Sequence, residues 1–235
     1  METIWGASIF SLNDFDAQSG QPGGFVERNA LTVAADGENL LLSSWFANVV
    51  EIWNSTTGES LAAYHDFAVP LNAIRFQGDL IVAELGTASV VRVNGADATQ
   101  RTPLITNMAV PAGLAATNDD LWVGDFATGQ VLQLVADGEV LGKPVIVATG
   151  LAGPEGLAVT DDGRLLVVES GAQRLSAIDL ATGQVTPLAE GLALGAPGWP
   201  NMPPTATFNG VAVDAAGTIY VTGDIDNVLY RLTQP

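Results

Sequence analysis

Cysteine is absent from this 235-residue chain, which excludes a disulfide framework, a zinc–thiolate site and a thiol nucleophile. Histidine occurs once, as His65, so no histidine-rich transition-metal site can be built. Positive charge is scarce as well. Eight bases, with Lys143 the only lysine, stand against 26 acids and leave a net charge of −18. A field of that sign repels nucleic acid and anionic membranes, and it favours cations or neutral polar partners such as a small-molecule ligand. It also suits a saline, extracellular or periplasmic setting. No apolar run approaches the ~18 residues of a membrane-spanning helix, and METIWGASIF lacks the basic start and apolar core of a signal peptide. The G-x-S-x-G elbow, the phosphate-cradling G-x-x-x-x-G-K-S/T loop and the H-E-x-x-H metal motif are missing too.

What is present is apolar and repeated. Hydrophobic residues make up 48% of the chain and charged residues 14%, enough to bury a sizeable core and too little charge for disorder. Five segments align: RNALTVAADGENLLLSSWFANVVEIWNSTTGES, LNAIRFQGDLIVAELGTASVVRVNG, AGLAATNDDLWVGDFATGQVLQLVADGEV, EGLAVTDDGRLLVVESGAQRLSAIDLATGQV and FNGVAVDAAGTIYVTGDIDNVLYRLTQP. Each holds three short strand patterns separated by tight polar turns such as Asp36-Gly37 and Asp162-Gly163. A weaker fourth strand follows in SLAAYH, KPVIVAT and VTPLAEG, and no stretch has a sustained 3.6-residue period.

The segment starts align at Asn29, Asn72, Ala112, Glu155 and Asn209, which are 43, 40, 43 and 54 residues apart. Periods of ~40–50 residues with four strands each are the signature of propeller blades. The expected fold is therefore all-β, a single β-propeller domain of four-stranded antiparallel blades over residues 1–235. The last repeat stops after VLYRL. Either SIFSLND supplies its fourth strand and completes five blades, or ETIWGASIFSLNDFDAQSG forms part of an incomplete sixth. An open ring would expose sheet edges and favour pairing between chains.

In a propeller the first strand of each blade lines the central channel, so the aligned positions meet at one mouth. They read Asn, Asn, Ala, Glu, Asn, and each is followed by Gly or Ala. Glu155, Asn209, Asn29 and Asn72 thus converge as one carboxylate and three amides, a donor set for a hard divalent cation, Ca²⁺ first. Asn after a turn also caps backbone groups through its own side chain. A second recurring set, Ser44, Glu84, Asp125, Glu169 and Asp224, closes the second strands, where acids accept turn N–H bonds.

Two enlarged loops open on the same face, NDFDAQSGQPGGFVER and residues 191–208. In the second, Trp199 and Met202 offer an apolar wall for substrate; an inert insertion is the other reading. His65, seven residues before Asn72, is suited either to general-base catalysis or to a place on the surface beside Asp66.

GPEGLAVTDDGRLLVVE and FNGVAVDAAGTIYVTGD resemble blades of the calcium-dependent propellers in the gluconolactonase, senescence-marker-protein and strictosidine-synthase-like superfamily, which includes paraoxonase and diisopropylfluorophosphatase. The blade pattern extends over nearly the whole chain and is shared with NHL-type binding propellers. In the superfamily a Glu and one or more Asn at inner-strand starts hold the metal, and Glu155, Asn209, Asn29 and Asn72 match in type and placement. The superfamily adds an Asp at an equivalent position, and no mouth position here is Asp. The resemblance implies a metal-dependent hydrolase of lactones or related esters, with Glu155 and His65 as the catalytic candidates. A non-catalytic NHL-like binding propeller is the alternative.

Overall fold

Two-residue turns fold the apolar runs back on themselves. Gln77-Gly78 and Asp137-Gly138 both have positive φ at each central residue, the backbone of a type I′ hairpin turn, whose twist matches that of the flanking strands. The structure, a computed structural model, describes residues 3–5, 8–10, 32–45, 47–198 and 208–233.

The first sheet contains β3 (Thr32–Asp36), β4 (Asn39–Ser44), β5 (Val49–Asn54) and β6 (Ser60–Tyr64). The second contains β7 (Pro70–Phe76), β8 (Asp79–Glu84), β9 (Ser89–Val93) and β10 (Arg101–Ile105). The third has β11 (Pro111–Ala116), β12 (Leu121–Asp125), β13 (Gln130–Ala136) and β14 (Glu139–Ala148). In the fourth are β15 (Pro154–Val159), β16 (Arg164–Glu169), β17 (Arg174–Asp179) and β18 (Val185–Glu190). The fifth has three strands among the described residues, β19 (Val211–Val213), β20 (Ile219–Gly223) and β21 (Val228–Leu232). Within each sheet sequential strands pair antiparallel, and the first strands β3, β7, β11, β15 and β19 follow one another around a common channel. This is the arrangement of a five-bladed β-propeller.

The N-terminal strands behave differently from one sequence expectation. β1 (Thr3–Trp5) pairs with β2 (Ser8–Phe10) in a two-stranded sheet of its own, so SIF is not the fourth strand beside β21 among the described residues. Pairing two strands separated by two residues costs far less loop-closure entropy than joining segments at opposite ends of a chain.

The core lies between blades rather than inside any one of them. Leu41, Val50, Leu80 and Val82 pack the first blade on the second, while Ile81, Val90, Leu121 and Leu134 pack the second on the third. Val131, Leu157, Leu165 and Ile178 continue the series, as do Leu166, Leu175, Ile219 and Val221. Because neighbours cover both faces, β8, β12 and β16 are buried almost end to end and read as unbroken apolar runs instead of alternating ones.

Candidate functional site at the head of the channel

Three inner strands begin with proline and then carry one residue too many. Pro70 pairs with Glu84 and Asn72 with Ala83; Pro111 pairs with Asp125 and Leu114 with Val123; Pro154 pairs with Glu169 and Leu157 with Val167. A bulge of this kind breaks the ladder locally and re-aims a side chain. In β15 the residues in the bulge are Glu155 and Gly156.

These pairings also correct the register read from sequence. Counting back from the ladder, Leu71 is level with Ala112, Glu155 and Asn209, whereas Asn72 sits one residue further along, level with Gly113, Gly156 and Gly210. The prolines carry the correct register in the sequence: VPLN, VPAG and GPEG align Pro70, Pro111 and Pro154 and so set Leu71 against Ala112 and Glu155. Asn72 nevertheless lines the same cavity as Glu155 and Asn209. Asn29, Trp199 and Met202 lie outside the described residues, as does half of the loop that carries the last two.

The glycines at this level are there for space. A Cβ on Gly113 would stand 1.9 Å from the Glu155 carbonyl oxygen, and one on Gly156 would stand 2.8 Å from that of Asn209. Successive inner strands therefore meet almost backbone to backbone, and the Gly156 N–H donates to the Asn209 carbonyl at 3.0 Å.

Glu155 is 1% exposed, and so is Asn209. The pair is buried rather than set at an open mouth, and Phe208, next to Asn209 in the chain, joins Trp45, Leu71 and Ala112 in an apolar collar drawn from four blades. Phe208 meets Phe126 edge to face at 6.1 Å. Sequence reading missed this collar. Its one available signal was the large apolar residue directly before Asn209.

One oxygen of Glu155 is fully engaged. Oε2 accepts from the Asn209 backbone N–H at 2.7 Å and from its Nδ2 at 2.8 Å. Asn209 Oδ1 in turn accepts from the Asp224 N–H at 3.0 Å, which fixes the orientation of the amide. Glu155 Oε1 is buried and no well-formed hydrogen bond reaches it: the Ser170 hydroxyl, close enough to act on the carboxyl, donates to the Gly153 carbonyl at 3.2 Å. Burial pushes the Glu155 carboxyl up to about 7, with the Asp224 charge adding to the rise; the two Asn209 donors and the Ser170 hydroxyl oppose it.

The cavity beyond Glu155 has a volume of about 250 Å³ and extends along the inner strands to Ala35 and Ala212, both exposed. His65 is exposed on the loop after β6 and is not among the described cavity-lining residues. Its carbonyl accepts from Arg101 at 2.6 Å.

The acids that close the second strands have the structural role read from the sequence. Glu84 accepts from the Ala68 N–H, Asp125 from Ala109 and Val110, Glu169 from Ala152, and Asp224 from Gly195 and Ala196. Each thus fastens the loop that enters its own blade. Glu169 goes furthest: its burial favours the neutral form, but Arg174, the Ser176 hydroxyl and the Ala152 N–H outweigh this and hold its carboxyl below the usual range. No group of three or more His, Cys, Asp or Glu residues converges as a metal site among the described residues.

No family model and no curated protein matches the sequence. Solved structures do resemble the fold. Virginiamycin B lyase from Staphylococcus aureus is 15% identical, with 87% of this chain and 67% of that chain covered at a TM-score of 0.63. A gluconolactonase from Xanthomonas campestris is 16% identical, with 88% and 72% covered at a TM-score of 0.67. A chain of the nidogen/laminin complex is 16% identical, with 87% and 75% covered at a TM-score of 0.71. At these identities the likeness shows the propeller fold alone.

Proposed function

We propose that the chain is a hydrolase acting on lactones or related esters at the head of its channel, with Glu155 as the reacting carboxyl. The observation that carries this reading is Glu155 itself: a carboxyl 1% exposed, among the residues that line the channel cavity, which titrates at about 7. Such a group exchanges a proton near neutral pH. As carboxylate, Glu155 takes a proton from water as the water oxygen bonds to the acyl carbon; as acid, it returns that proton to the departing alkoxide when the acyl C–O bond breaks. Asn209 holds Oε2 through both transfers, which leaves Oε1 to carry the proton. The gluconolactonase and the lyase among the structural neighbours are consistent with hydrolase or lyase chemistry on this fold.

The same atoms fit a divalent cation, Ca²⁺ first. Glu155 Oε1 has no partner, Asn72 lines the cavity, and Asn209 Oδ1 keeps a second lone pair. These three would hold the ion, with Asn29 the fourth candidate from the sequence. When bound, it supplies Lewis acidity towards a carbonyl oxygen. A second reading, a non-catalytic propeller that binds a ligand or partner, is favoured by the lack of a multi-acid metal cluster among the described residues.

Metal content, followed by lactone and aryl-ester turnover with and without chelator, separates the two. With Glu155 as the proton carrier, turnover is expected to persist in chelator and to be abolished by Glu155→Gln; chelator-sensitive turnover would instead make Glu155 a ligand of the ion. A metal-free protein that turns over neither substrate class overturns the hydrolase reading.

A further inference from the structure

The cavity's lining narrows the substrate. Of the nineteen described residues around it, only Thr32, Asn72, Glu155, Asn209 and Thr222 carry polar side chains. Most of those polar atoms are already committed. Thr32 Oγ1 donates to the Leu71 carbonyl at 2.7 Å, and Thr222 Oγ1 accepts from the Gly210 N–H at 2.7 Å. Both ends of the Asn209 amide are engaged, as is Glu155 Oε2. Among the described side chains, the group left for a ligand is the Asn72 amide, since Glu155 Oε1 is unmatched but fully buried. Elsewhere the wall is hydrocarbon, with Leu71, Ile74, Leu114, Leu157, Phe208 and Val211 spread around it.

Its size points the same way. A volume of about 250 Å³ lies below the roughly 300–1,000 Å³ of sites for drug-sized ligands and equals about eight waters of liquid. A compact molecule fits, and one with several hydroxyls would strand most of them against aliphatic side chains. Each stranded hydroxyl costs about tenfold or more in affinity.

Resting on the hydrolase reading above, we infer that the channel takes small lactones or esters whose non-reacting part is hydrocarbon, and that it turns away polyhydroxylated lactones of the sugar type. The carbonyl end is directed at the Asn72 amide, beside Glu155, and the alkyl part lies along β3, β15 and β19 towards Ala35 and Ala212. Ala212 sets the depth of the site, because it is exposed in the channel rather than packed in a core cluster.

The test uses γ-octalactone, a five-membered lactone with a butyl chain, and glucono-1,5-lactone. Binding is measured by calorimetry on the full-length Glu155→Gln protein, and turnover on the wild type. The expected result is at least tenfold tighter binding of γ-octalactone, and loss of that binding in the Glu155→Gln, Ala212→Phe double variant. That variant must keep the parent's circular dichroism spectrum and melting temperature to within a few degrees; if it does not, Ala35→Phe, also exposed in the channel, replaces Ala212→Phe. Equal or tighter binding of glucono-1,5-lactone overturns the inference while leaving the hydrolase reading in place, as does γ-octalactone binding that survives the cavity-filling change. Tight γ-octalactone binding with no turnover by the wild type has the opposite meaning: the cavity's preference stands and the hydrolase reading falls.

Discussion

The main-chain and side-chain amides of Asn209 both donate to the same oxygen of Glu155, at 2.7 and 2.8 Å, across two adjacent blades. The second carboxyl oxygen is left buried and unmatched. A carboxyl held in this way is poorly solvated on one side only, and its ionisation is therefore linked to the stability of the fold.

The sign of that linkage is fixed by the direction of the shift. Glu155 titrates from 4.5 in the unfolded chain to about 7 when folded, so the folded state holds the proton more tightly. The stabilisation is complete below 4.5 and is lost as pH rises through 7, a change of about 3 kcal/mol. In chelator, the stability of Glu155→Gln relative to wild type should rise by that order between pH 5 and pH 8. Urea unfolding at several pH values reads it, and a pH-independent difference would refute the burial of an ionisable Glu155.

Calcium should reverse the slope. A cation on Glu155 competes with the proton, so saturating Ca²⁺ should stabilise the wild type at pH 8 by about 2.7 kcal/mol at a hundredfold excess over Kd. The effect should shrink at pH 5 and vanish in Glu155→Gln. Thermal melts with and without Ca²⁺ measure it; equal shifts in both proteins would place the ion elsewhere.

Asn209→Ala removes the side-chain donor to Glu155 and the acceptor of the Asp224 N–H, leaving both buried groups short of a partner. The expected cost is about 2–3 kcal/mol in stability, with the Glu155 carboxyl titrating higher than in the wild type. Isotope-edited infrared spectroscopy of the carboxyl band follows that titration, and an unchanged midpoint would deny Asn209 its hold on Glu155.

Gly113→Ala drives a methyl into the Glu155 carbonyl oxygen, which should cost about 3 kcal/mol as the strands are forced apart. Gly142→Ala, with nothing within 4 Å of the added methyl, should stay within about 0.5 kcal/mol. Denaturation midpoints of the pair test whether close approach of β11 and β15, rather than glycine flexibility, is what Gly113 provides.

Asp125→Ala leaves the N–H groups of Ala109, Val110, Ala127 and Thr128 without their acceptor. A loss of about 2–3 kcal/mol follows, with Asp125→Asn milder because it retains one acceptor oxygen. Similar losses for both variants would mean that the negative charge, rather than acceptor geometry, matters.

The blades were legible because their signals are local: turn dipeptides and apolar runs of strand length repeat at fixed spacing, and the acids before the turns do what such acids do at loop junctions. Glu155 and Asn209 were also legible as partners, through their equivalent places in the repeat. The bulges were not. β7, β11 and β15 each carry the same extra residue, which no strand pattern announces, and the prolines before Leu71, Ala112 and Glu155 are what mark those three as level. Nor could a repeat reveal the collar, because Trp45 and Phe208 occupy no shared position and come together only when the blades close around the axis. The partner of β2 was left open between two readings for a related reason: strand patterns say that a segment pairs, not with what.

The carboxylate clasps at the blade junctions have a further consequence for how the molecule comes apart. Glu84, Asp125 and Glu169 each reach back only 15 to 17 residues to the loop they secure, and apart from the collar at the channel the main apolar clusters join adjacent blades. Cooperativity in such a chain passes from neighbour to neighbour, as in a linear repeat array bent into an arc. Amide exchange should therefore show a graded profile, slowest in β8, β12 and β16 and faster in the flanking blades, instead of a single protection factor for the whole domain.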